Sequence, residues 1–326
     1  MIRRLFISRL TAFGCLALAA ALPAVAQPDN YPSKPITLVV GYPPGGSTDL
    51  TGRTLAAELS KILGVPVVIE NVGGAGGAIG AQKVLNAAPD GYTLLSGANN
   101  EIAIARLVSS SVKYQTSDFT PIGLIASQPM VLVASQKSGI KNVDQFISLV
   151  KSSPGKYSFG SSGVGTALHL AGEMANDLGG ISMLHVPYRG VAPLANDLLG
   201  NTIDFGVFVL SSGLPHIKSG RVVALGVTEA KRSSAAPDIA PLSDNPKLKG
   251  LDIGVWFALM GPAKLPEPIV AKLRKALTES LQSPELRKKL EDSGSTIAAP
   301  TVDINAFLKG EVTKYQKIVD FAKIKE

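Results

Sequence analysis

Val39-Val40-Gly41-Tyr42-Pro43-Pro44-Gly45-Gly46-Ser47-Thr48-Asp49 marks the point where an apolar run stops at a Pro-Pro-Gly-Gly turn and a helical pattern begins. The order reads as strand, tight loop, helix start. Gly45 and Gly46 remove Cβ where another group needs to approach the backbone, and Ser47, Thr48 and Asp49 are residue types that cap helix N-termini. A helix N-terminus left open presents unpaired N–H groups and a partial positive charge, which suits an anion. Taken alone, the stretch is more readily an ordinary βα turn in which Asp49 neutralises the helix dipole, because Gly-rich βα turns are common in α/β folds that bind nothing there.

Outward from this turn, the runs at 36–40 and 65–69 are apolar and β-rich, and between them Leu55, Leu59 and Ile62 share a helix face, so the segment is a βαβ unit. The glycines of Gly73-Gly74-Ala75-Gly76-Gly77 miss the G-x-G-x-x-G spacing. That argues against a nicotinamide cofactor and for a tightly packed loop before a helix at 81–87. A strand at 92–96 opens onto Gly97-Ala98-Asn99-Asn100. Two strand-like runs, 121–126 and 131–135, flank Ser127-Gln128-Pro129, the expected first passage into a second domain.

There the opening logic repeats. A strand at 156–159 runs into Gly160-Ser161-Ser162-Gly163-Val164-Gly165-Thr166, and the helix after it carries Leu170, Met174 and Leu178 before Gly179-Gly180 stops it, with Thr166 as natural N-cap. Thr166-Ala167 stands where a Walker A needs lysine and a hydroxyl residue, and the register of a nucleophile elbow is missing. Strands at 183–186, 203–209 and 222–227 follow, with a short helix after Pro187-Tyr188-Arg189-Gly190 that has Pro193 in its first turn. The chain is expected to return to the first domain around 255–260. Helices carrying Ile269, Leu273, Leu277 and Leu281, then one from Ser283-Pro284, then one at 304–324 with Phe307, Leu308, Tyr315 and Ile318, would cover it.

A chain of 326 residues suggests about two domains. With 45% apolar and 17% charged residues, disorder and coiled coil are both disfavoured. Met1-Ile2-Arg3-Arg4, an apolar run through Leu22 and Ala24-Val25-Ala26 have the order of a secretory signal peptide cleaved after Ala26. The single cysteine, Cys15, lies inside it without a lipoprotein box, so no disulfide is expected in the mature chain. Losing Arg3, Arg4 and Arg9 lowers the formal charge from +7 to +4. The basic residues are scattered without an aromatic-interleaved stripe, which disfavours nucleic acid. His169, His185 and His216 show no metal-ligand spacing, and Trp256 reads as core. Two Gly-rich strand-to-helix turns, one per domain, are the pattern of a cleft binder.

Several motifs are more specific. Tyr31-Pro32-Ser33-Lys34-Pro35-Ile36, the Pro-Gly-Gly-x-x-Asp turn with Arg53 beyond it, Glu70-Asn71 leading to Gly74-Ala75-Gly76-Gly77, and Ala88-Pro89-Asp90-Gly91-Tyr92-Thr93-Leu94-Leu95 form one set. Asp118-Phe119-Thr120-Pro121-Ile122, Gly160 to Gly165 with His169-Leu170-Ala171-Gly172-Glu173, and His185-Val186-Pro187-Tyr188 complete it. Along essentially the whole mature length the chain resembles the Bug-type periplasmic substrate-binding receptors of tripartite tricarboxylate transporters. The resemblance implies an α/β, two-domain periplasmic binding protein of type II-like form, each domain a mostly parallel sheet flanked by helices, with the ligand cleft between. Its expected division is 1–26 signal peptide, 27–127 plus 254–326 as domain 1, and 128–253 as domain 2. It implies a monomeric periplasmic receptor without cofactor or catalytic residues, which delivers a small carboxylate to membrane permease subunits. The expected ligand-binding residues are Tyr42, Gly45, Gly46, Ser47, Thr48, Asp49, Asn99, Ser161, Gly165, Thr166, His169, Tyr188 and Asp204. The two acids would orient water or hold neighbouring N–H groups.

The chain departs from that pattern at Gly41, Tyr42, Gly73 and Arg189, where the family often has Pro, Phe, Pro and Lys. The segment 99–111 also differs and brings Glu101 and Arg106 near the expected cleft mouth. The rival from another class is a secreted α/β hydrolase using a cleft serine.

Overall fold

β1 (Ile36–Val40) is a buried apolar strand, α1 (Ser47–Leu63) follows it, and β2 (Val67–Asn71) returns parallel to β1, two residues later than the sequence suggests. Leu55 and Leu59 of α1 are buried, whereas Ile62, expected beside them, is exposed. The computed structural model describes residues 31–322 and 324; the expected signal peptide at 1–26, with Cys15, lies outside the described residues. The unit from Pro32 onward carries the elements of the fold.

Next come α2 (Ala78–Leu85) and β3 (Thr93–Ala98), which lies parallel to β1 on its other side. The unusual segment after β3 forms a π-helical turn, Asn100–Ile104, continuing into α3 (Ala105–Val108). β4 (Thr120–Ser135) then leads through α4 (Val143–Ser152), β5 (Ser158–Ser161), α5 (Ala167–Gly179), β6 (Leu184–Pro187) and α6 (Val191–Leu199). β7 (Phe205–Val209) passes directly into α7 (Leu210–Lys218), followed by β8 (Val222–Val227) and β9 (Gly254–Gly261). The chain closes with α8 (Glu267–Ser280), α9 (Pro284–Asp292), β10 (Thr296–Ile297) and α10 (Ile304–Ala322).

These strands form one mixed sheet in the order β2-β1-β3-β9-β4-β7-β5-β6, with β8 and β10 also pairing to β4. The parallel character expected of each half holds for β2-β1-β3 at one end and β6-β5-β7 at the other. Around β4 every pairing is antiparallel.

The two strands expected on either side of Ser127-Gln128-Pro129 are a single strand of 16 residues. It changes partners where the break was expected: residues 120–129 pair with β9, and residues 130–135 pair with β7 and β8. Pro129 has no N–H to donate, and it is tolerated because it sits at this exchange. The next amide, Met130 N–H, donates to the Thr228 hydroxyl at 3.1 Å. Gln128 ties the exchange together: its amide nitrogen donates to Ser295 Oγ at 2.5 Å, and its oxygen accepts from Ser211 N–H. Trp256 is core as expected, with Nε1 donating to Glu311 at 2.7 Å. The C-terminal ends of β1, β2, β5, β6 and β7 all lead into helices, and an open α/β sheet binds ligands at such ends.

Candidate functional site

α1 has an uncapped start. Its N-cap is Gly46, at φ −85° and ψ 174°, with no side chain to offer. The expected caps, Ser47, Thr48 and Asp49, lie one step too far along and form the first turn itself. α6 starts the same way from Gly190, whose φ of 104° favours glycine, and α7 starts from Val209, again without a side-chain cap. All three N-termini border one small cavity of about 50 Å3, lined by Gly46, Ser47, Thr48, Ser162, Val191 and Ser212 among others. Ser47 and Thr48 are 9% and 6% exposed, and their hydroxyls have no side-chain partner among the described residues.

Through a neck of Tyr42, Pro43, Pro44, Asn100, Ser162, Arg189 and Gly190, this cavity joins a wider cleft of about 940 Å3. The cleft runs between the Gly73–Gly77 loop on one side and residues 162–165 and 187–190 on the other. Gly165 needs its glycine twice over: φ is 68°, and a Cβ there would stand 2.2 Å from Val108.

Tyr42 and Asn100 form the neck's hydrogen-bonded frame. The Tyr42 hydroxyl donates to Gly76 O at 2.6 Å and accepts from Asn100 Nδ2 at 2.8 Å, while Asn100 Oδ1 accepts the N–H of Ala167, first residue of α5, at 2.7 Å. Beneath it lies Glu101, fully buried, with Oε1 accepting from Ala98 N–H at 2.7 Å and Oε2 unpartnered. Burial pushes its carboxyl up to about 8, against the opposing pull of the Ala98 amide. Tyr42 is raised too, first by burial and then by the nearby Glu101 charge.

Tyr42, Gly46, Ser47, Thr48, Gly165 and Tyr188 are thus brought to the two cavities, and the other expected site residues are not. Asp49 braces its own turn: it accepts from Gly45 N–H at 3.0 Å, Arg53 Nε at 2.9 Å and Asn71 Nδ2 at 2.9 Å. Burial alone would raise its carboxyl, but these donors outweigh that and hold it below the usual value. Gly45 serves the brace as donor. Asn99 points away, donating to Gly254 O at 3.0 Å and the Tyr315 hydroxyl at 2.5 Å.

Ser161 is fully buried, its hydroxyl 2.7 Å from His185 Nε2. Thr166 does cap α5, accepting from His169 N–H at 3.4 Å, but its hydroxyl donates to Gly163 O at 2.8 Å. His169 accepts from Gly165 N–H at 3.1 Å and stacks on His185 with ring centroids 3.7 Å apart. Burial, and then His169, push His185 down to about 3, with Glu173 pulling the other way. Asp204 stands at the N-terminal end of β7, accepting from Ser158 N–H at 2.9 Å, at the opposite end of β5 from the cleft.

Asn100, Ser162, Ser212 and the N-terminus of α6 are lining groups that the sequence reading passed over. The signal for α6, Gly190 followed by Pro193, was present in the chain. Among the described residues no cluster of His, Cys, Asp or Glu is arranged to hold a metal ion.

Residues 51–324 match the family model of the tripartite tricarboxylate transporter family receptor. The chain belongs to that family. BugT of Bordetella pertussis is 31% identical over 95% of this chain and 96% of its own length. The solved structure of periplasmic binding protein BugD superposes with a TM-score of 0.85, at 33% identity over 90% of this chain and 99% of BugD. A protein of R. palustris solved with adipate gives 0.86 at 30% identity, over 90% and 99% of the two chains. MatC of Rhodopseudomonas palustris, with bound malate, gives 0.83 at 30%, over 89% and 100%. The receptor therefore has the two-domain periplasmic binding fold, in a family of solute-binding receptors. Among the described residues no helix is long and apolar enough to cross a membrane.

Proposed function

We propose that the receptor captures a small carboxylate in the cavity at the start of α1 and delivers it to the permease subunits of a tripartite transporter. The observation that carries this is the glycine-capped start of α1, where the buried hydroxyls of Ser47 and Thr48 have no side-chain partner and face the cavity. Open N–H groups and hydroxyls at a helix N-terminus stabilise a carboxylate. The two liganded relatives, one with adipate and one with malate, support that class of ligand.

In this reading the lobes are 27–127 plus 254–326 and 128–253, hinged where β4 changes partners, and the mature monomer begins at Gln27 after export to the periplasm. Asn100, through Ala167, latches the lobes shut. Mass spectrometry of gently purified protein should find a retained carboxylic acid, and solution scattering should show compaction when that acid is added back to emptied protein. A retained cation or neutral compound, or an unchanged radius at saturation, would sink the reading.

Among the described residues, the 2.7 Å contact between Ser161 and His185 is the feature that favours the hydrolase alternative. Ser161 is fully buried and His185 is a poor base, so the pair is set to hold the loop rather than to attack a substrate. Ester turnover lost in Ser161→Ala would reverse this judgement.

A further inference from the structure

We propose that Arg189 reads a second acidic group on the ligand, so that the receptor selects dianions with an acid at each end of a short apolar chain. The inference rests on the carboxylate-receptor reading and goes beyond it by assigning the far end of the ligand.

Arg189 is the one charged side chain among the described residues that line the cavity, the neck and the cleft. It lines both spaces, so it stands where a ligand anchored at Ser47 and Thr48 must emerge. Nothing neutralises it there. It makes no hydrogen bond or ion pair among the described residues. The acid on its own following helix, Asp197, is taken at 2.7 Å by the Tyr188 hydroxyl. Asp49 is consumed by its brace, and Glu101 is sealed beneath the neck.

The other polar side chains that line the cleft, among them Asn71, Asn100, Ser109, Ser111 and Ser162, carry no charge. Pro43, Ile79 and Val108 offer only apolar surface, which suits methylene groups between two acids. A guanidinium presents a planar fork that matches a carboxylate through two N–H donors, and a lysine in its place would be a point charge. The two charge-recognising elements are therefore of different kinds: fixed backbone N–H groups at the closed end, and an exposed guanidinium fork at the open end. A ligand with a single acid satisfies the first and leaves the second unpaired.

The test is calorimetric titration with α,ω-dicarboxylates of four to eight carbons, each paired with its monomethyl ester, which keeps the length and removes one charge. At the best length, wild type should bind the diacid about tenfold or more tighter than the ester, as for a charge-assisted pair in a partly dry cleft. Arg189→Gln should erase that preference by weakening the diacid while leaving the ester within about twofold. Arg189→Lys should fall between. Arg189 is exposed, so both variants should fold, and circular dichroism checks this. Equal loss for diacid and ester in Arg189→Gln would show mere long-range attraction and overturn the proposal, as would a wild type that binds both equally. Those outcomes leave the carboxylate reading intact. If no member of either series binds wild type, that reading falls and the role of Arg189 with it.

Discussion

The two Gly-rich turns look alike in sequence and do opposite things. At the first, α1 starts from Gly46, nothing caps it, and buried hydroxyls face the cavity. At the second, α5 starts from Thr166, which caps it, and the next amide, Ala167 N–H, is already bonded to Asn100. The first helix start is open toward the cavity, whereas the second is capped from within its own turn, although residues 162–165 of that turn still line the cleft. A helix N-terminus is left free for an anion when the capping residue withholds its side chain, so in the proposed reading one position in each turn separates a binding element from a structural one.

The supports beneath the turns differ in the same way, and this gives the largest expected effect. Under the first lies Glu101, pushed up from 4.5 to about 8. A neutral Glu101 contributes stability that is fully present below pH 4.5 and lost as pH rises through about 8. Under the second lies His185, pushed down from 6.5 to about 3. Its contribution is present above pH 6.5 and lost as pH falls through about 3. Denaturant unfolding across pH should show Glu101→Gln flattening only the limb on which stability falls between pH 4.5 and about 8, by an amount on the order of a few kcal/mol. His185→Gln should flatten only the acid limb. Should both variants act on one limb, the contrast between the supports fails.

Next in size is an attempt to convert the first turn into the second. A Cβ at Gly46 meets nothing within 4 Å and its φ is ordinary, so Gly46→Asp should fold. The new carboxylate would cap α1 and occupy the anion's place, lowering affinity for a small carboxylate about ten- to a hundredfold without lowering the melting temperature. Unchanged affinity in calorimetry would mean that the ligand sits elsewhere.

The smallest effect belongs to Thr166→Val, which removes the cap of α5. Stability should fall by about 1 kcal/mol, while affinity changes less than twofold because the hydroxyl already serves the loop. An affinity loss as large as that of Gly46→Asp would make both turns binding elements.

The contrast itself was not legible, because in sequence both turns read as anion-binding helix starts, but the elements that carry it were. The βαβ opening, the role of Thr166 as cap and the amphipathic helices follow from period and capping chemistry. The errors are one residue wide and have a physical cause. Side chains alternate along a strand, so at the end of β5 Ser161 faces the buried His185 while Ser162 lines the cleft. Asn99 and Asn100 divide in the same manner at the π-helical turn, whose irregular winding no periodicity announces. Asp204, expected to orient water or hold neighbouring N–H groups, does hold an N–H group, that of Ser158, but at the end of β7 away from the cleft. The continuity of β4 was hidden because Pro129 reads as a break when the partner exchange around it is unknown.

That exchange also governs how the chain reaches its folded state. β9 lies between β3 and β4, so the strands at 93–98 and 120–135, made early, have no direct contact in the sheet and wait for residues 254–261 to join them. Pairing over such separations is slow, because the intervening chain must be ordered before the strands reward it. A nascent chain that has not yet delivered Gly254 therefore lacks the strand that joins the two parts of its sheet. The β2-β1-β3 unit can pair on its own, but its junction with β4 must wait for this late strand.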